Sequence, residues 1–285
     1  MQNITPAKNT TSDTTRLPSP AIWNDCPWLD IEAGTRDGLK WFDDFVTQDD
    51  EDGSDAGYMR YIDTGNTIRN LATNTTALAT GARGGVLRLS ADASDNDGPI
   101  IQHQTANGAG YALIGNTSGA AWKLWFEARI RKSSITDNQA AFFCGLAQVG
   151  TAANDGLLDD NAGDIVDSIS AIGFRVKHDN GEELDFAYQD GGQTSPTEVI
   201  ANIAAMVADT WVKVGFVYDP SESADRRIKI FLNNQMQNTF VTNTNIDAAT
   251  FPENDALAFV FGLKTGEATA VTADIDWWRF CQIYD

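Results

Sequence analysis

Five aspartates in two loops are the residues best suited to inorganic chemistry. Asp92, Asp95 and Asp97 lie in DASDNDG (92–98), and Asp159 and Asp160 lie in DGLLDDNAGD (155–164). Clustered loop carboxylates suit Ca2+, a hard cation that prefers oxygen ligands. The spacing is not that of an EF-hand. With Gly98 at the sixth position of such a loop, Ala93 stands at the first and Gln104 at the twelfth, where acids are required. With Gly163 at the sixth, Leu158 stands at the first. No metal site is assigned and no cofactor is expected; Ca2+ is the one ion these loops could take.

Organic catalysis is less well provided for. The chain has two histidines, His103 and His178. A Ser/His/Asp triad needs a base oriented by a third group, whereas His178-Asp179 falls at a turn and reads as a solvated loop pair. There is no G-x-S-x-G and no P-loop; GNTSGA (115–120) lacks the Lys of a phosphate site. Three cysteines and two histidines, all scattered, do not make a zinc site. Cys144 and Cys281 sit in apolar strand patterns and read as core. Cys26, beside Pro27, could pair with another cysteine, and the spacing does not say which.

The elements that must position these residues are strands. In WKLWFEARIRK, Trp122, Leu124, Phe126, Ala128 and Ile130 fall on one face, and Lys123, Trp125, Glu127, Arg129 and Arg131 on the other. Such alternation marks a half-buried antiparallel strand. Similar runs stand at 85–90, 141–149, 168–176, 183–189, 211–219, 226–233, 256–264 and 273–284, separated by Gly, Asn, Asp and Pro. Asn233-Asn234 predicts a tight hairpin, because Asn tolerates positive φ. IANIAAMVA (200–208) is open between helix and strand. Residues 1–28 are polar and Pro-rich, an arm that either lies across its own domain or is tied down by a neighbouring subunit. Seven acids between Asp43 and Asp55 read as a solvated loop. The domain reading is an arm with acidic loop over 1–55 and one sandwich over 56–285.

Charge excludes some partners. Forty acids against 20 bases leave a formal charge of −20 in 285 residues. Nucleic-acid binders neutralise phosphates with Lys and Arg, and anionic membranes attract the same residues. Neither partner is expected. No apolar run approaches the roughly 18 residues that span a bilayer.

Two segments carry a family resemblance. TWVKVGFVYDPSESADRRIKIFLNNQMQ (210–237) joins a Trp-opened strand, a charged turn and a strand ending in an Asn-bearing hairpin. ADIDWWRFCQIYD (273–285) is an aromatic closing strand. Both resemble the concanavalin A-like or laminin-G-type jelly roll. The implied fold is all-β, a two-sheet antiparallel jelly-roll sandwich with an extended N-terminal arm. Some relatives of that fold are glycoside hydrolases, with two glutamates flanking an aspartate on one strand as E-x-D-x-E or E-x-D-x-x-E, one serving as nucleophile and another as acid/base. GEELDFAYQD (181–190) places Glu183 and Asp185 at that spacing, but Ala187 and Tyr188 stand where the second glutamate belongs. No catalytic residue is assigned, and the chain is read as a non-enzyme.

The polar arm, the jelly roll and the acidity together also resemble a tailed-phage virion protein, of the capsid decoration or cement kind. That resemblance implies a virion location after assembly in host cytoplasm, with capsid or other virion proteins and further copies of this chain as partners. Its alternative is a lectin-like carbohydrate-binding module for host or surface glycans. Aromatics serve either role. Trp125 lies on the polar face of its strand, and the neighbours Trp277 and Trp278 point to opposite faces. Trp23, Trp28, Trp125 and Trp278 are the interface or ligand candidates, with an interface favoured over a glycan.

Overall fold

Period-two segments become strands almost wherever they occur, because alternation lets one row of side chains reach the core from a pleated backbone. The computed structural model describes residues 15–45, 58–62, 64–70, 85–103, 109–116, 121–153, 156–160 and 163–284. The strands are β1 (Gly38–Asp43), β2 (Tyr58–Tyr61), β3 (Thr67–Asn70), β4 (Leu87–Ala91), β5 (Ile100–His103), β6 (Leu124–Lys132), β7 (Ala140–Gln148) and β8 (Ala171–Val176). They continue with β9 (Glu183–Gln189), β10 (Thr197–Ala205), β11 (Val212–Tyr218), β12 (Ile228–Leu232), β13 (Gln235–Val241), β14 (Leu257–Thr265) and β15 (Val271–Ile283). Short helices α1 (Pro20–Trp23) and α2 (Trp28–Glu32) precede β1, and α3 (Asn243–Ile246) follows β13.

Two antiparallel sheets form a sandwich. The eight-stranded sheet runs β13-β12-β11-β6-β15-β4-β3, with β1 also on β15. The seven-stranded sheet runs β10-β9-β8-β7-β14-β5-β2. β15 is long enough to take β4 against residues 271–275 and β1 against 278–283 on one side, with β6 along the other. Between the sheets lies one core of aromatics and aliphatics, including Phe126, Phe174, Phe186, Phe216, Phe259 and Trp278. Trp278 stacks on Phe259 with centroids 4.3 Å apart and planes at 6°. Each such side chain contributes on the order of 2 kcal/mol by leaving water.

The outer faces are covered as well. Across the eight-stranded sheet, residues 16–31 form a strap. Its anchor Ile22 is 2% exposed and joins Trp125, Val217, Phe231, Cys281 and Ile283 in a separate apolar cluster. Gly215 makes room for it, since a Cβ there would stand 2.6 Å from Ile22 Cδ1. Across the seven-stranded sheet, Ala152, Leu157, Leu158 and Ile165 of the β7–β8 connection pack on Phe143, Ala147 and Val260.

Several sequence expectations change. The segment read as arm already contains β1, which pairs with β15 in the eight-stranded sheet; its flanking acids hide its short alternation. The described part of the arm lies across its own domain. The open segment at 200–208 falls largely in β10, an irregular edge strand that bulges where Asn202 adopts φ 49°. Asn233 and Asn234 form the expected hairpin with φ 47° and 68°. Residues 1–14 of the arm and 46–57 of the acidic loop lie outside the described residues.

Candidate functional site

At one end of the seven-stranded sheet, connections from distant parts of the chain border an open cleft of about 650 Å3. Gln148 ends β7, Ser170 precedes β8, Asp190 and Gly191 follow β9, and Asp255 precedes β14. Gly110 closes the rim, because its segment bridges to the start of β14. A Cβ at Gly110 would lie 2.4 Å from the Ala256 carbonyl oxygen, so only glycine allows that approach.

The polar groups of the cleft hold one another in place. Ser170 Oγ donates to Asp255 and accepts from the Gly191 N–H at 2.8 Å. Asp190 accepts from the Gly192 N–H at 3.0 Å, while its own N–H donates to the Thr250 carbonyl at 2.9 Å. Asp190 thus engages a carboxylate oxygen within its own loop, and Asp255 engages one across to the β7–β8 connection. Together with the Gln148 amide and the peptide groups beside Gly110, they make a row of acceptors and donors suited to a hydroxyl-rich ligand.

The Glu183/Asp185 pair is built into a different arrangement on the outer face of the same sheet. Arg175, 3% exposed, is paired with Asp164, with Glu198 at 2.9 Å and with Asp185 at 3.8 Å. The Asn202 N–H reaches Asp185 at 2.9 Å, and the Asn202 side-chain amide reaches Glu183 at 3.2 Å. Burial, with a further push from Glu198, raises the Asp185 carboxyl to about 6. Ala187 stands where a second acid was sought, and Glu198 is its register partner on β10. Strand pairing thus supplies a carboxylate that spacing within one strand could not reveal. These acids surround a buried arginine and pin Asp164 and β10 to the sheet.

The four tryptophan candidates are all engaged within the chain. Trp23 Nε1 donates to Glu127 at 2.6 Å, and Arg279 lies between the Trp23 and Trp28 rings at 4.3 and 3.9 Å. Trp125, on the polar face of its strand as expected, is 1% exposed beneath the strap, its indole donating to Asp25 at 2.9 Å. Trp278 is 0% exposed in the inter-sheet core. A bulge between Ile275 and Trp277 sets the phase here, turning Asp276 and Trp277 outward and Trp278 inward.

The calcium candidates face their own loops. Asp92 accepts from the Ser94 N–H at 2.8 Å, Asp159 from the Gly163 N–H at 3.0 Å, and Asp160 pairs with Lys264 at 2.6 Å. Asp95 is exposed, and the Asp97 carbonyl accepts from Thr265. Residues 154, 155, 161 and 162 of the second loop lie outside the described residues. Among the described residues no group of three or more His, Cys, Asp or Glu side chains is arranged to hold a metal. His178 opens a turn as expected but is buried rather than solvated, fitting against Gly163 and Gly266, where a Cβ would stand 2.5 Å from its ring.

Ser170, Asp190, Asp255 and Gln148 were not prominent in the sequence. They stand singly at or beside strand ends, 20 to 107 positions apart in the sequence, and only strand order brings them together.

No protein-family model and no curated protein matches the chain. Solved structures do. A protein of unknown function from Shewanella oneidensis MR-1 superposes with a TM-score of 0.56 at 14% identity, over 90% of this chain and 95% of that one. An endo-β-1,4-glucuronan lyase from the fungus Trichoderma reesei gives 0.53 at 12%, over 84% and 94%. Peanut lectin gives 0.52 at 13%, over 86% and 97%. At these identities the likeness is one of fold, and the fold is the concanavalin A-like jelly-roll sandwich.

Proposed function

We propose that the protein is a lectin-like carbohydrate-binding module that holds a neutral glycan in the cleft at the end of the seven-stranded sheet, without turning it over. The carrying observation is the cleft itself, where Asp190, Asp255, Ser170 and Gln148 meet beside two glycines. Sugar hydroxyls both donate and accept, and the two carboxylates take donated protons in a charge-assisted geometry. The same carboxylates repel uronates. The sandwich fold shared with peanut lectin supports this reading, although the lyase shows that the fold serves catalysis too. Against turnover stands the setting of Asp185 and Glu198, both paired with Arg175, with Asp185 only 3% exposed. A decoration role on a virion was read from an arm lacing neighbouring subunits. Residues 16–31 instead strap their own sandwich, so glycan binding is the reading adopted.

The test is a broad array of neutral and acidic oligosaccharides probed with the full chain, followed by titration of the strongest binder. Binding is expected among neutral glycans, and Asp255→Asn and Gln148→Ala are each expected to weaken it about ten-fold, near 1.4 kcal/mol. An array without hits, or hits indifferent to both substitutions, would overturn the reading. Release of reducing ends from a bound glycan, abolished by Glu198→Gln, would establish an enzyme instead.

A further inference from the structure

Cys26 and Cys281 lie 255 positions apart in the sequence, yet both pack into the one apolar cluster beneath the strap. Three independent fastenings bring them together. Cys281 occupies the outer face of β15, where its register neighbours are Trp125 on β6 and Lys40 on β1. Asp25, the residue before Cys26, accepts from Trp125 Nε1 at 2.9 Å and from Lys123 Nζ at 2.7 Å. Trp28, just after Cys26, lies under Lys40 Nζ at 4.9 Å and against Arg279 at 3.9 Å. The strap is thus tied on both sides of Cys26 to the strands that flank Cys281. Both sulfurs belong to the strap's apolar cluster, with Cys281 fully buried and Cys26 half-buried.

We propose that Cys26 and Cys281 form a redox clasp: a disulfide between them, made at the expense of a small disulfide such as oxidised glutathione, locks the strap covalently over the eight-stranded sheet. The half-buried Cys26 reacts first. Its thiolate attacks one glutathione sulfur, a mixed disulfide forms, and one glutathione thiolate leaves and takes up a proton. The Cys281 thiolate then attacks the Cys26 sulfur, forming the protein disulfide and releasing the second glutathione. Two protein thiols are oxidised and one glutathione disulfide is reduced to two thiols. In the reduced chain the Cys281 thiol is pushed up by Cys26 and then by burial, and burial still holds it up once Cys26 carries glutathione. The thiolate is the attacking form, so the second step is slow at neutral pH and quickens as pH rises. Cys144 is buried in the inter-sheet core and takes no part.

The test incubates the full-length native chain with oxidised glutathione, alkylates residual thiols and maps peptides without reduction. The expected product links the Cys26 and Cys281 peptides, leaves Cys144 alkylated, and slows hydrogen exchange in residues 16–31 at least ten-fold. In Cys281→Ala the reaction is expected to stop at a glutathione adduct on Cys26, which shows that Cys26 is reached in a folded chain. A stable glutathione adduct on Cys26 of the unsubstituted chain, a Cys26–Cys26 link between chains, or no reaction would each overturn the proposal.

Discussion

Substituting Trp23 by Phe tests whether the strap is held by the carboxylate beneath it. Glu127 is fully buried on the outer face of β6, and burial raises its pKa above the ordinary carboxylate range. Its oxygens accept from the Ser19 N–H at 3.0 and 3.2 Å and from Trp23 Nε1 at 2.6 Å. Phe keeps a six-membered ring for Trp28 and Arg279 to pack on and removes the five-membered ring with its N–H. A hydrogen bond to a charged group contributes about 1.5–3 kcal/mol. Because Ser19 remains as a donor, a loss of about 2 kcal/mol is expected, raising the open population of the strap about thirty-fold. Trp23→Ala also removes the Trp28 edge contact at 5.9 Å and the Arg279 stacking, for a total of about 3–4 kcal/mol. The assay is native-state hydrogen exchange at Ser19 and Ala21, whose N–H groups donate to Glu127 and to Asn234 Oδ1, with β7 and β14 amides as internal reference. The reasoning is refuted if Trp23→Phe leaves exchange at Ser19 and Ala21 unchanged, or if strap and reference amides lose protection equally.

Other perturbations have equally definite outcomes. Asp185, raised from 3.8 to about 6 by burial, contributes stability that is full below about pH 4 and is lost as pH rises through about 6. Asp185→Asn is therefore expected to gain on the native chain between those limits, by at most about 3 kcal/mol, read from urea midpoints at pH 4 and 7.5; a parallel pair of pH profiles would refute the assignment. His103 runs the other way. Burial lowers it to about 4, so its contribution is present above its ordinary 6.5 and lost as pH falls through 4. The Tyr111 hydroxyl accepts from the Phe259 N–H at 3.0 Å and lies 3.1 Å from His103 Nδ1, which leaves its proton for that nitrogen when the imidazole is the Nε2–H tautomer. Nitrogen-detected NMR is expected to show a neutral Nε2–H tautomer at pH 5.5, and an imidazolium there would contradict it. Gly173→Ala would set a Cβ 2.7 Å from the Cys144 carbonyl oxygen and 2.9 Å from Phe143 Cζ, so a loss of about 1–3 kcal/mol is expected in thermal unfolding.

Alternation carried most of the sandwich, and its failures have local causes. The run at 122–132 sends Phe126, Ala128 and Ile130 inward and Trp125, Glu127 and Arg129 outward, as period two requires. It says nothing about what lies over the outward row. Arg129, Arg131, Asp274 and Asp276 look like a solvated face in sequence, yet Asp274 and Asp276 are 2% exposed and paired with Arg88, Arg129 and Arg131. Arg16 of the arm reaches Asp276, Trp211 stacks against Arg129 and Arg131, and the arm covers the outward Trp125 and Trp277. Trp278 was misplaced because one bulge shifts the phase of β15, and an inserted residue is invisible to a strict period. The cleft was illegible for a topological reason: β7 lies between β8 and β14, and that order alone sets Ser170 beside Asp255.

Covering both faces has a consequence for recognition. Many outward positions on the seven-stranded sheet are small, with Ala141, Gly145, Ala147, Ala171, Gly173, Ala187 and Gly262 forming a floor around Phe143 and Val260. Such a floor lets an apolar lid lie close, and Leu157 Cδ2 would stand 2.6 Å from a Cβ on Gly262. A polysaccharide laid along a sheet needs that floor open and lined with hydrogen-bonding side chains. Here Leu157, Leu158, Ile165 and the Arg175 cluster occupy it. On the proposed reading, recognition is confined to the strand ends, where the cleft would admit a chain terminus or a short branch. Affinity is accordingly expected to stop rising with oligosaccharide length once the cleft is filled. An affinity that climbs steadily with every added sugar would mean the lid moves off the sheet, and would return the binding site to the face it covers.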